Sequence, residues 1–188
     1  MRILRKDYQI IFLALLMLPV ASEAHPFNLA TESEGLIGGL THPLTNSDHI
    51  LTMLAVGLWV SQATRYWAYS LPVVFVSLML TDGMLPLLAI EIPFAKYMMY
   101  ISVIALGMML AGAYKTPQAV GGLIVAAVAF FHGYVHVYDM MLDIGGPNYM
   151  TGFAITTMLL IVAGVISRSL INYIFLKING GFLRDESE

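Results

Sequence analysis

His42-Pro43-Leu44-Thr45-Asn46-Ser47-Asp48-His49 opens a run, Ile50 to Val60, that is almost wholly apolar. Two imidazoles and a carboxylate thus stand at the edge of a segment that reads as membrane. Ionisable groups in hydrocarbon cost several kcal/mol unless paired or hydrated, so their presence there points to function. Pro43 biases His42 away from helical backbone, and Thr45, Asn46 and Ser47 are good helix-starting residues. The stretch therefore predicts a broken first span: a short Gly-rich lead-in from Gly35 to Leu40, a break at His42-Pro43, then a helix from Asn46 to Gln62. Irregular backbone at membrane depth is tolerated where it lines a cavity or site.

The chain around this stretch is 188 residues long, with a mean hydropathy of +0.78 and only 11% charged residues. A soluble domain carries roughly a quarter. These values predict an all-α polytopic membrane helix bundle. The net charge of −3 is small and argues against a nucleic-acid partner. Without cysteine, disulfides and thiolate metal sites are excluded. Any metal must be held by His, Asp, Glu, Met, main chain or water.

Arg2, Arg5 and Lys6 precede the apolar run Ile10 to Val20, and Ser22-Glu23-Ala24 offers small residues before a cut. This is the pattern of a secretory signal peptide over 1–24, with an uncleaved anchor as the alternative. Cleavage would leave His25 as the first residue, able to chelate a metal through amine and ring together. A solvated His in a loose tail is the plainer reading of His25.

After the first span, further spans are expected over Tyr66 to Ile90, Phe94 to Tyr114, Ala119 to Met140 and Tyr149 to Ile166. Ser169 to Leu176 either continues the last helix or lies along the interface. The membrane domain would cover 25–176, with about five transmembrane helices, and 177–188 would be a polar cytoplasmic tail. Arg2, Arg5, Lys6, Arg65, Lys115, Arg168, Lys177 and Arg184 then fall on the inner side, and Lys96 on the outer. The positive-inside rule accordingly puts the mature amino terminus outside and the carboxyl terminus in the cytoplasm of a bacterium, with the chain in its inner (plasma) membrane.

At about 1.5 Å rise per residue, depth follows from position. His42, Asp48 and His49 lie in the outer half of the descending first span. His132 and His136 lie in the outer half of the ascending fourth, on one helix face, with Asp139 a turn further along. Asp82 lies at a similar level in the second span. Neutral imidazole suits nickel, cobalt, copper and zinc, and a carboxylate commonly orients a ligating His. A lone intramembrane His is more often a packing residue; five candidates at matched depth favour a site. Asp82 reads equally as a site member or as a partner for a Ser or Tyr. Met53, one turn after His49, could offer a thioether; most other methionines read as gap fillers.

These residues carry a resemblance to the HupE/UreJ family of membrane proteins. The matches are His42-Pro43 through Asp48-His49 with Met53, Val56-Gly57 and Leu58-Trp59; then Phe131-His132-Gly133, His136 and Asp139; then Tyr149, Gly152-Phe153 and Thr156 or Thr157. The family pattern has Gly at Asn46 and at Val137, and Glu at Asp139. It also carries a sixth span and a His near the end of the fifth, where this chain has Leu160. The resemblance implies a permease for nickel or nickel and cobalt that serves metalloenzyme maturation. It implies roles in metal passage for His42, Asp48, His49, His132 and His136, and less directly for Asp139. The metal would be cargo rather than a permanent cofactor. Copper and zinc stay open, as does a homo-oligomer. A zinc-dependent intramembrane hydrolase is the runner-up, and an accessory subunit delivering metal to a membrane complex is the third reading.

Overall fold

The computed structural model describes residues 35–112, 116–141 and 146–185. The expected signal peptide and His25 lie outside them. The described residues form six α-helices and no strand: α1 (Gly35–Thr45), α2 (Ser47–Val60), α3 (Arg65–Asp82), α4 (Ala95–Ala111), α5 (Gln118–Met141) and α6 (Gly146–Asp185). A turn of 3-10 helix, Leu85–Leu88, follows α3.

The break in the first span falls at Asn46, not at His42-Pro43. Pro43 sits inside the last turns of α1, and Asn46 is the extended residue, at φ −99 and ψ 107, between α1 and α2. A proline cannot donate the hydrogen bond that would reach back to Gly39, but it does not by itself force the next turn open. Local side chains then take over the carbonyl at the end of α1. Thr45 Oγ1 and Asn46 Nδ2 both donate to His42 O, at 2.9 and 3.2 Å. These bonds satisfy a group that helix ends otherwise leave orphaned.

The second span also ends earlier than its composition suggests. α3 stops at Asp82, and Gly83-Met84 turns the chain into the 3-10 segment that contains Pro86. α4 and α5 match the expected third and fourth spans to within a few residues. α6 continues as helix past Ile166 through Ser169 to Leu176, one of the two courses expected for that stretch, and runs on through the expected tail to Asp185. Among the described residues, two helices are long and apolar enough to cross a membrane, α5 over Gln118–His136 and α6 over Pro147–Ile171. α2 and α4 are apolar but shorter, α2 because the break at Asn46 divides its span.

Two packed units share the bundle. α6 runs parallel to α1 and α2 and lies against both: Gly39 meets Tyr149 and Phe153, and further along Gly57 meets Ile161 and Gly164. α5 lies against α3 and α4. It is parallel to α3, with Trp67 beside Gly122 and Met79 beside Gly133. It is antiparallel to α4, whose leading turn is tied to α5 where Ile92 N–H donates to Tyr134 Oη at 2.8 Å. α2 and α5 are antiparallel: Trp59, at the end of α2, covers Gly121, near the start of α5. Their backbones stay apart along most of their length, so side chains fill the space between them.

Small residues set the helix separations, as in membrane bundles where close backbone approach replaces the hydrophobic drive. A Cβ at Gly57 would run into the main chain of α6 at Ile161 and Gly164, and backbone cannot move aside. Between the units lies an apolar core of Met53, Val56, Val60, Phe75, Met79, Leu106, Val125, Val128, Phe153 and Ile161.

Gly57→Val should therefore cost about 1–3 kcal/mol through overpacking and lower the thermal unfolding midpoint of the detergent-solubilised protein. Gly122→Ala, whose methyl would meet only the Trp67 ring at an ordinary 3.8 Å, should not lower that midpoint and, by removing a mid-helix glycine, should raise it slightly.

Candidate metal site

Helical geometry aims the imidazoles. Gly133 is pressed against the main chain of α3 at Met79. Adjacent helical residues diverge by about 100°, so His132 turns away from α3 and toward α2. His136, one turn on, shares that face. On α2, His49 projects toward α5 and α6, while the neighbouring Asp48 stands nearer the surface.

The rings meet. Centroids of His49 and His132 are 5.9 Å apart, of His49 and His136 5.7 Å, and of His132 and His136 5.4 Å. One ligand nitrogen from each of these three residues can be chosen so that all lie within 4.8 Å of one another. Asp48 Oδ2 is 3.5 Å from His136 Nε2, with the two side chains 27% and 15% exposed, so this pair forms the open edge of the cluster. His49 and His132 are fully enclosed, at 1% and 0% exposure.

α6 supplies the wall. The Phe153 ring lies 5.1 Å from His49 and 6.1 Å from His42, edge-on to the first and tilted to the second. One turn further, Thr157 Oγ1 shares a hydrogen bond of 3.1 Å with His49 Nε2. Its neighbour Thr156 donates to Leu40 O at 2.9 Å and fastens α6 to α1. Phe153 and Thr157 share a helix face by their spacing, a signal legible in the sequence only once His49 was known to face α6.

The cluster holds unusual unspent capacity. His49 Nδ1, both ring nitrogens of His132 and Asp48 Oδ1 are buried without a well-formed hydrogen bond among the described residues. Buried polar atoms are normally paired, and orphans need a reason. A shared cation would supply one. Metal–imidazole bonds of about 2.0–2.1 Å require nitrogens about 3.0–3.5 Å apart around one ion. A spread of up to 4.8 Å is closed by modest side-chain rotation. His49 would ligate through Nδ1 while Nε2–H donates to Thr157, the outer-shell bond that fixes tautomer and ring orientation in metal sites.

The remaining candidates lie outside this three-His group. His42 sits at the edge, 6.3 Å from His136 between centroids. Met53 is buried in the apolar core one turn inward of His49. Asp82 is buried at the end of α3, with Oδ2 unpartnered among the described residues, and does not join the three-His group. Asp139 lies in α5, with its side chain outside those described.

Fold and site define a class: an apolar helix bundle whose polar centre is a cluster of imidazoles with a carboxylate at its edge. The sequence model described as "HupE / UreJ protein" matches residues 13–180. "Protein HupE" of Rhizobium leguminosarum bv. viciae is 34% identical over 153 residues, covering 81% of this chain and 78% of that protein. No solved structure matches. The chain belongs to the HupE/UreJ family.

Thr157→Val keeps the shape but removes the acceptor for His49. It should weaken divalent-metal binding about 10- to 100-fold, the range found for such outer-shell partners, as read by isothermal titration of the purified protein.

Proposed function

We propose that this protein is a multi-pass membrane permease that passes a divalent transition metal ion, nickel or alternatively cobalt, through the His/Asp centre between α2 and α5. The observation that carries this reading is the meeting of His49, His132 and His136 with ligand nitrogens inside 4.8 Å, beside Asp48 and within apolar helices. Family membership supports it. So does the outer surface, where Tyr69, Val73, Tyr97, Ile104, Leu123, Leu159 and Val162 are all exposed, as helices facing lipid require.

In this reading the first span descends from the outer face of a bacterial plasma membrane and α5 ascends, so the cluster lies in the outer half. An incoming ion meets Asp48 and His136 at the open edge and exchanges water for imidazole as it moves inward. Conduction needs binding strong enough to strip water and weak enough to release the ion. Imidazole ligands suit nickel and cobalt in this respect and bind only when deprotonated. The onward route passes Met53, Val56, Val125 and Val128, all fully buried and apolar. That seal must open for each ion, and the same bundle therefore works by alternating access rather than as an open pore. The seal also favours a second reading, a closed zinc centre of hydrolytic type, in which three imidazoles hold zinc and leave a position for activated water.

Reconstitution into liposomes distinguishes these readings. Nickel or cobalt uptake should occur with the intact chain and fall at least tenfold in both His49→Ala and His132→Ala. Uptake should also decline as the external pH is lowered, because protons compete with the ion for the imidazole lone pairs. Stoichiometric zinc retention with no flux of any metal would overturn the permease and leave the hydrolase.

A further inference from the structure

His42 and Asn46 are one helical turn apart, and their contact decides what His42 can do. Asn46 Nδ2 lies 2.7 Å from His42 Nε2 and donates to His42 O at 3.2 Å. The carbonyl settles which end of the Asn46 amide faces the ring. Oδ1 in that place would set two acceptor oxygens against each other, whereas NH2 has two hydrogens for two acceptors. His42 Nε2 is therefore the acceptor. A neutral imidazole that accepts at Nε2 carries its proton on Nδ1. That Nδ1 is buried and has no partner among the described residues.

We infer that Asn46 withdraws His42 from the ion's ligand set, by holding its ring in the Nδ1–H tautomer with the Nε2 lone pair engaged. A metal ion needs a free lone pair, and in this state His42 has none to give. A second observation agrees: the group whose ligand atoms converge contains His49, His132 and His136 and leaves His42 out. The centre is then three imidazoles with Asp48, and His42 is a positioning residue. Its ring packs edge-on to His136 and Tyr149 and tilted against Phe153, and its carbonyl anchors the break in the first span. Asn46 sets the number of imidazoles open to the ion and hence how tightly the mouth of the site holds it. The assignment to an ion rests on the permease reading above; the tautomer does not.

The test is nitrogen-15 NMR of the full chain labelled at histidine, in detergent micelles, with His42→Gln used only to assign the His42 signals. Zinc serves as a diamagnetic probe. In the metal-free wild type, His42 should show a protonated Nδ1 and an unprotonated Nε2. Zinc should shift the nitrogens of His49, His132 and His136 and leave the His42 tautomer unchanged. In Asn46→Ala, Nε2 is released: zinc should now shift His42 as well, and zinc affinity should rise at least tenfold. His42→Ala should change wild-type zinc affinity by less than threefold, but should undo the gain of Asn46→Ala. A wild-type His42 protonated at Nε2, or a loss of zinc affinity in His42→Ala as large as in His49→Ala, overturns the assignment. Failure of zinc to shift any of the three central histidines overturns the metal reading, and the metal-free spectrum still decides the role of Asn46.

Discussion

The rest of the molecule depends on a gap. α2 and α5 are held apart by what lies on either side of them: α6 closes against α1 and α2 through glycine contacts, and α3 closes against α5 at Gly133. Helices in such contact are fixed at a short separation because backbone meets backbone and neither yields. The space left between α2 and α5 must be filled by side chains. At one end an indole fills it, Trp59 over Gly121. At the other end three imidazoles do, and their nitrogens are left facing one another.

That arrangement explains why a polar cluster survives within an apolar bundle. Unpaired donors and acceptors in such surroundings are expensive, and the described residues offer few partners: Thr157 for His49, Asp48 for His136 and Asn46 for His42. Each partner stands against one ring nitrogen, Nε2 in all three cases. His49 Nδ1, both ring nitrogens of His132 and Asp48 Oδ1 are left without a partner among the described residues, and His49, His132 and His136 each have a ligand nitrogen within 4.8 Å of the other two. The layer directly beneath them is wholly apolar, with Met53, Val56, Val125 and Val128, so the polar groups are confined to one end of the space between α2 and α5.

The break in the first span joins fold to site. By ending α1 at Thr45 and restarting at Ser47, the chain sets Asp48 in the first turn of a new helix. The unpaired N–H groups and the helix dipole favour its negative charge there. An unbroken helix would place Asp48 among satisfied backbone groups, without that support. The same break leaves Asn46 extended, so that its side chain folds back onto His42 rather than capping α2.

Much of this was legible in the residues themselves. Hydropathy separates the helices, and the spacing of His132 and His136 puts them on one face because an α-helix repeats every 3.6 residues. Opposed running directions bring His49 and His132 to one level, and a broken first span follows from helix-starting residues beside a proline. What sequence could not supply was anything decided by rotation and by contact between distant segments. The break moved to Asn46 because side-chain bonds to the His42 carbonyl outlast the missing proline N–H. α3 ended at Asp82 because Gly83-Met84 turns there, although the apolar run continues. The partnership of Thr157 with His49 spans over a hundred positions of chain, and the fate of His42 hangs on which end of one amide points at it. Composition and periodicity thus determined which groups share a depth. Only the packed helices, held at fixed separation and rotation by their glycines, decided which of those groups meet.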